Sequence, residues 1–212
     1  MLELYNYFRS SASYRVRIAL NLKGLEYKEI PVHLLNNGGE HHTPDYQAMN
    51  PQRLVPTLQD NAKTITQSLA IIEYLDELHP EPPLMPADPY QKALVRGFAL
   101  AIAADMHPLN NLRVLKFLNN DLNLSEEQKM RWYQHWIATG FSALEKTLTA
   151  NPHATDFCFG QTPTIADICL VPQMYNARRF NCDISAYPTL VKIDAHCQTQ
   201  PAFIKAQPQE NS

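Results

Sequence analysis

Polar and apolar residues alternate at the start of the chain, with Leu2, Leu4 and Phe8 sharing one side of the pattern. The alternation stops at three hydroxyls, Ser10, Ser11 and Ser13, and a different period begins. Val16, Ala19 and Leu20 recur at i, i+3 and i+4, flanked by Ile18 and Leu22, which is the spacing of one helix face. The change of period predicts a buried strand over 2–7, a short loop and a helix over 12–23. Unpaired backbone N–H groups at such a helix start, together with the helix dipole, favour an anion. Arg9 adds a positive charge beside the hydroxyls, so a thiolate or a carboxylate would be at home there.

The mixed apolar run from Tyr27 to Leu34 predicts a second, parallel strand, and Asn36-Asn-Gly-Gly39 a turn. One short helix is expected near Pro44 to Ala48. Val55-Pro-Thr-Leu58 and Lys63-Thr-Ile-Thr66 predict two short strands joined at Gln59-Asp-Asn-Ala62. Pro56 cannot donate to a ladder and belongs on an edge or at a special peptide bond. Ser68 to Leu78 closes the unit as a helix, with Leu69, Ile72 and Leu75 on one face. This order packs helices on a four-stranded mixed sheet, an α/β domain over residues 1–80.

The composition then changes. Residues 79–89 hold five of the sixteen prolines, which no helix can run through, so a linker is expected at about 79–88. Beyond it only helices are expected, an all-α domain over residues 89–212. Pro89 opens a long helix to about 119, bent at His107-Pro108. Ser125-Glu-Glu-Gln128 is a capping box opening a helix through Leu148, and Thr164-Ile-Ala-Asp167 a second one opening a helix from Ile165 to about Arg179. Shorter helices follow at Thr189–Gln198 and Pro201–Ala206.

Composition narrows the functional classes. A formal net charge of -3 with scattered basic residues speaks against nucleic acid. No run approaches eighteen apolar residues, so no membrane span is expected, and the first residues read as structure rather than a leader, which points to the cytoplasm. Cys158, Cys169, Cys182 and Cys197 lack Cys-x-x-Cys spacing, so neither a disulfide framework nor zinc is expected. The dispersed histidines give no metal site.

Six segments in fixed order carry a resemblance. They are Arg9-Ser-Ser-Ala-Ser-Tyr-Arg-Val-Arg17, Asn50-Pro-Gln-Arg-Leu-Val-Pro-Thr57, Gln67-Ser-Leu-Ala-Ile-Ile-Glu-Tyr-Leu75, His107-Pro-Leu-Asn-Asn-Leu-Arg-Val-Leu115, Thr164-Ile-Ala-Asp-Ile-Cys-Leu-Val-Pro-Gln173 and Ala177-Arg-Arg-Phe180. Together they resemble the cytosolic glutathione transferases, and within them the zeta class of maleylacetoacetate and maleylpyruvate isomerases. The resemblance implies a thioredoxin-like glutathione-binding domain at the N-terminus, a helical substrate-binding domain after it, and a homodimer. The class usually carries Cys and Trp where this chain has Ala12 and Tyr14, which leaves the serines in place.

By the same resemblance Pro56 follows a cis bond, the Val55 backbone pairs with the cysteinyl part of glutathione, and Gln67 and Ser68 hold its γ-glutamyl carboxylate. The loop from Ser10 through Ser11, Ala12 and Ser13 handles the thiol. Ser10 is the first choice of thiol donor and Ser11 the second, with Tyr5 and Tyr7 as rivals and simple N-capping as the other role open to the serines. The implied reaction is thiolate addition to a maleyl keto diacid, rotation about the resulting single bond, and elimination. Such a diacid needs cations, and Arg9 and Arg179 are the candidates, since a guanidinium fork matches a carboxylate. Arg113 is a further candidate, with solvated charge as its alternative.

His107 and Asn111, spaced i and i+4 on the long helix, are expected to face glutathione together; His41, beside His42, is expected at its glycyl end. Arg15 and Arg17 are expected to make structural salt bridges, with Arg15 at the site edge. Thr164 and Asp167 are expected to fold the helix start rather than catalyse, and Trp132, Tyr133 and Trp136 to be core. The competing functions are a general conjugating transferase and a glutathione-fold protein without turnover.

Overall fold

The computed structural model describes residues 1–209. The chain divides into two compact units: Met1–Pro83 joined by the segment from Gln200 onward, and Leu84–Thr199.

The first unit is a thioredoxin-like α/β fold. Its strands are β1 (Leu2–Asn6), β2 (Tyr27–Pro31), β3 (Thr57–Asp60) and β4 (Lys63–Thr66), in the order β2-β1-β3-β4. β1 pairs parallel with β2, Leu2 opposite Tyr27, and antiparallel with β3, Leu4 opposite Leu58. The helices are α1 (Ser11–Leu22), α2 (Pro44–Met49) and α3 (Ser68–Leu78). Val16, Ala19 and Leu20 of α1 and Ile71, Ile72 and Leu75 of α3 are buried with Leu4 and Leu58, so the α1 stripe forms core as expected, while on α3 Leu69 is half-buried and Leu78 exposed.

Two edges differ from the sequence expectation. β2 ends at Pro31 rather than 34, and β3 begins at Thr57, so Val55 and Pro56 precede the strand instead of lying in it. The Val55–Pro56 peptide is cis. The hairpin is also tighter than expected: Asp60 still pairs with Lys63, and Asn61 adopts a φ of 54° in the turn.

The last helix of the chain, α10 (Pro201–Ala206), belongs to this first unit, whereas the sequence grouped it with the helical domain. It packs on α1, where Arg17 Nε donates to the Ala206 carbonyl (3.0 Å) and Asn21 Nδ2 to that of Ala202 (3.1 Å). This second cover explains why residues 11–20 of α1 are buried all round. Lys23 closes the unit: its Nζ reaches Asp76 Oδ1 at 2.5 Å and the carbonyls of His79 and Pro82 at 2.6 Å, tying the ends of α1 and α3 to the proline-rich segment.

The second unit is all-helical among its described residues. α4 (Pro89–Leu100) starts where Asp88 accepts from the Gln91 N–H at 2.8 Å. A wide π turn, Ala101–Met106, leads into the single turn α5 (His107–Leu109), and α6 (Leu112–Asn120) follows. The long helix expected to 119 is therefore interrupted, and not at His107-Pro108. The break lies at Asn110 and Asn111, where the Asn111 side chain accepts from the Arg113 N–H (3.1 Å) and restarts the helix. Gly140 lets the neighbouring helix approach the π turn, because a Cβ there would collide with the Met106 methyl.

α7 (Glu126–Thr149) and α8 (Ile165–Arg179) begin at capping boxes built by Ser125 with Gln128 and by Thr164 with Asp167, and α9 (Pro188–Cys197) completes the unit. Tyr133 is buried and stacks on Phe180 at 4.1 Å, while Trp132 Nε1 donates to the Leu109 carbonyl at 2.9 Å.

Candidate functional site

Ser10 is the N-cap of α1. Its Oγ accepts the Ser13 N–H at 3.2 Å, so the capping role is present. Capping occupies an oxygen lone pair and leaves the hydroxyl proton available, and an oxygen that already accepts is a better donor. Ser10 is half-buried, whereas Ser11 is nearly enclosed and Ser13 wholly so. Ser10 is therefore the hydroxyl of this loop best placed to meet a ligand, and Ala12 contributes a small buried side chain. Arg9 is half-buried, with its guanidinium 4.9 Å from the Phe8 ring centre. Of the rival tyrosines, Tyr5 donates to Gln59 Oε1 at 3.1 Å, and Tyr7 is buried with its ring edge-on against Phe8 and His33.

The segment before β3 is held from below. The Leu54 carbonyl accepts from Tyr46 Oη (2.7 Å) and from Asn50 Nδ2 (2.8 Å), and both groups also reach Thr57 Oγ1 at 3.0 Å. Burial raises the Tyr46 phenol above its ordinary pKa. This network fixes the chain on either side of Val55 and Pro56. The Asn50-Pro segment carried the sequence signal, but Tyr46 had none.

At α3 the helix start has no side-chain cap and no acidic residue in its first turn. Gln67 sits there at a φ of 71°, its Nε2 donating to Gln52 Oε1 at 2.7 Å. Ser68 follows at 6% exposure, and its Oγ accepts from Arg15 Nη1 at 3.0 Å. Arg17 in turn donates to Asn6 Oδ1 at 2.8 Å and to the carbonyls of Phe8 and Ala206 at 3.1 and 3.0 Å. The open helix start, the hydroxyl and the guanidinium suit a carboxylate.

His41 is buried beneath Gly39, whose positive φ of 105° leaves no room for a Cβ against the His41 ring. His42 stacks on His41 at 3.9 Å. Glu40 bonds the His33 N–H and braces this loop.

In the second unit His107 lies in α5 and Asn111 outside it. The two are not four residues apart on one helix, and the shared-face argument fails because Asn111 caps α6. Arg113 is exposed. The adjacent arginines at the end of α8 part ways: Arg178 pairs with the buried Asp194 carboxylate at 2.6 Å, while Arg179 lies 5.0 Å from the Phe180 ring centre. Arg178 thus has a structural partner, which leaves Arg179 as the cation of the pair suited to a ligand. Asp167 is wholly buried and bonded to Thr164 and Cys158, consistent with a folding role.

Among the described residues no helix is long and apolar enough to cross a membrane, and no cluster of three His, Cys, Asp or Glu side chains could hold a metal ion.

Residues 4–83 match the family described as glutathione S-transferase, N-terminal domain. A probable maleylacetoacetate isomerase from Vibrio cholerae is 50% identical over 206 residues, covering 97% of this chain and 95% of the relative. A maleylacetoacetate isomerase from Anaeromyxobacter dehalogenans, solved with dicarboxyethyl glutathione and citrate bound in the active site, superposes with a TM-score of 0.86 at 38% identity, covering 100% of this chain and 97% of the other. A maleylpyruvate isomerase, described as a bacterial glutathione S-transferase in the zeta class, superposes with a TM-score of 0.96 at 43% identity, covering 99% of each chain. With this identity sustained from end to end, the chain belongs to the zeta class of the glutathione transferases.

Proposed function

We propose that this protein is a glutathione-dependent cis–trans isomerase that converts a maleyl keto diacid, maleylacetoacetate or maleylpyruvate, to its fumaryl isomer. Bound glutathione supplies a thiolate that adds to the activated double bond, permits rotation about the single bond so formed, and departs. The observation that carries the reading is the Ser10 hydroxyl, half-buried at the start of α1 with its oxygen already accepting the Ser13 N–H. The Ser10 hydroxyl donates a hydrogen bond to the thiolate sulfur, and the α1 dipole lowers the cost of the negative charge. Ser11 and Ala12 shape the floor of that loop. The Val55 backbone, braced through Leu54, pairs with the cysteinyl unit; Gln67 and Ser68 receive the γ-glutamyl end, and His41 the glycyl end. Arg9 and Arg179 serve the substrate carboxylates, with Arg113 as a further cation, and His107 and Asn111 are the remaining candidates for glutathione contacts. The protein works as a homodimer in the cytoplasm.

The test is a direct isomerisation assay with both maleyl keto acids, with and without glutathione. Turnover should require the thiol. Ser10→Ala should lower kcat/KM by about 10²–10³, and Arg179→Ala should raise KM for the diacid while leaving glutathione binding unchanged. Conjugation of neutral electrophiles without isomerisation would point instead to a general transferase, and turnover in the absence of thiol would sink the mechanism. Sedimentation velocity reads the dimer directly.

A further inference from the structure

Arg15 is the largest fully buried side chain, with 1% of its surface exposed, and it sits in α1 rather than in the segment that opens α3. A guanidinium carries donors only. Its 3.0 Å bond to Ser68 therefore makes Ser68 Oγ the acceptor. The serine has a single proton, and that proton is left to point away from Arg15. A serine at the first position of a helix can otherwise turn its hydroxyl to accept or to donate. Here the choice is made in advance, before any ligand arrives.

Two further observations agree. α3 starts without a side-chain cap or an acidic residue in its first turn; α9 and α10 lack both too, but they open with proline where α3 opens with Ser68, so no N-cap side chain occupies the first N–H groups of α3. The Arg15 charge lies behind Ser68 in a place from which water is excluded, where screening is weak. A hydroxyl committed to donating, open N–H groups and a buried cation together select an acceptor-only anion over a neutral amide or hydroxyl.

We infer that Arg15 is a positioning residue for glutathione: it holds the Ser68 hydroxyl as a donor and confers the preference of this helix start for a carboxylate. The inference rests on the reading that Ser68 receives the γ-glutamyl carboxylate. It deepens that reading by naming a side chain that acts through Ser68 without touching the ligand.

The experiment compares dissociation constants, by calorimetry on the full-length protein, for glutathione and for 4-aminobutyryl-cysteinyl-glycine, which lacks only the γ-glutamyl α-carboxylate. The wild type should prefer glutathione by about tenfold or more. Arg15→Gln should cut that preference to within about threefold by weakening glutathione and sparing the analogue. Arg15→Lys, which keeps a cation but not the fork, should retain an intermediate preference, and it carries the test should the glutamine variant prove insoluble. In a Ser68→Ala background, Arg15→Lys should change the preference no further. Equal weakening of both ligands would mark Arg15 as merely structural and overturn the inference, as would an undiminished preference in both Arg15 variants. A wild type that binds both ligands alike would overturn the underlying assignment of Ser68 instead.

Discussion

Two helix starts in this molecule solve the same electrostatic problem in opposite ways. α8 brings its own anion. Asp167 accepts from the Thr164 N–H at 2.8 Å and the Thr164 hydroxyl at 3.1 Å, and its other oxygen takes the Cys158 N–H at 2.7 Å. Burial pushes the Asp167 carboxyl up, and the bonds from Cys158 and Thr164 oppose that shift. α3 brings a hydroxyl and a guanidinium but no acidic residue in its first turn and no side-chain cap. A helix start filled from within is a folding element; one furnished with donors and left unfilled is a receptor.

The contrast can be broken most severely at α8. Asp167→Ala leaves two buried backbone donors without their acceptor, and each costs about 1–3 kcal/mol. Urea unfolding should show a loss of about 3–5 kcal/mol, while the folded fraction still binds glutathione with its original dissociation constant. Converting α3 into the likeness of α8 is the next largest test. Ser68→Asp supplies an internal carboxylate beside Arg15, so glutathione affinity should fall by about a hundredfold, with stability raised by up to about 1 kcal/mol. A variant that still bound glutathione normally would show that the ligand's carboxylate goes elsewhere.

Thr164→Ala removes one cap bond and should cost about 1 kcal/mol in thermal or urea denaturation, with KM for glutathione unchanged. The smallest effect is a chemical one. Burial and the neighbouring Asp167 raise the Cys158 thiol, and burial alone pushes Cys182 up to about 11. At pH 8 the Cys182 thiolate fraction is then about one in a thousand. Ellman's reagent should leave the native protein nearly unlabelled and titrate all four free cysteines in urea. Early labelling of Cys158 in the native protein would show that the α8 start opens more readily than its bonding implies.

Elements with strong local signals were legible in the sequence. The capping boxes at Ser125 and Thr164 and the apolar stripe of α1 lie where the residues put them, because caps and periodicity are local properties. The interruption after Leu109 was hidden, since Asn110 and Asn111 are ordinary surface residues until one of them caps a new helix, and the π turn before them has no sequence signature. The complete burial of Arg15 was hidden for a different reason. A charged residue in a helix suggests an exposed face, and the packing of α3 on α1, which brings Ser68 to it from fifty-three residues later, is a tertiary event. The bracing of Leu54 by Tyr46 and Asn50 is non-local in the same way.

The return of α10 to the first unit has a consequence for how the protein is made. Arg17 Nε and Asn21 Nδ2 find their carbonyl acceptors at Ala206 and Ala202, so the first unit is completed by a helix that follows the whole of the second. Without α10 the outer side of α1 stays wet and Arg17 Nε lacks the oxygen it holds in the folded unit. A fragment cut after residue 83 would therefore lack the closing piece of the thioredoxin-like unit.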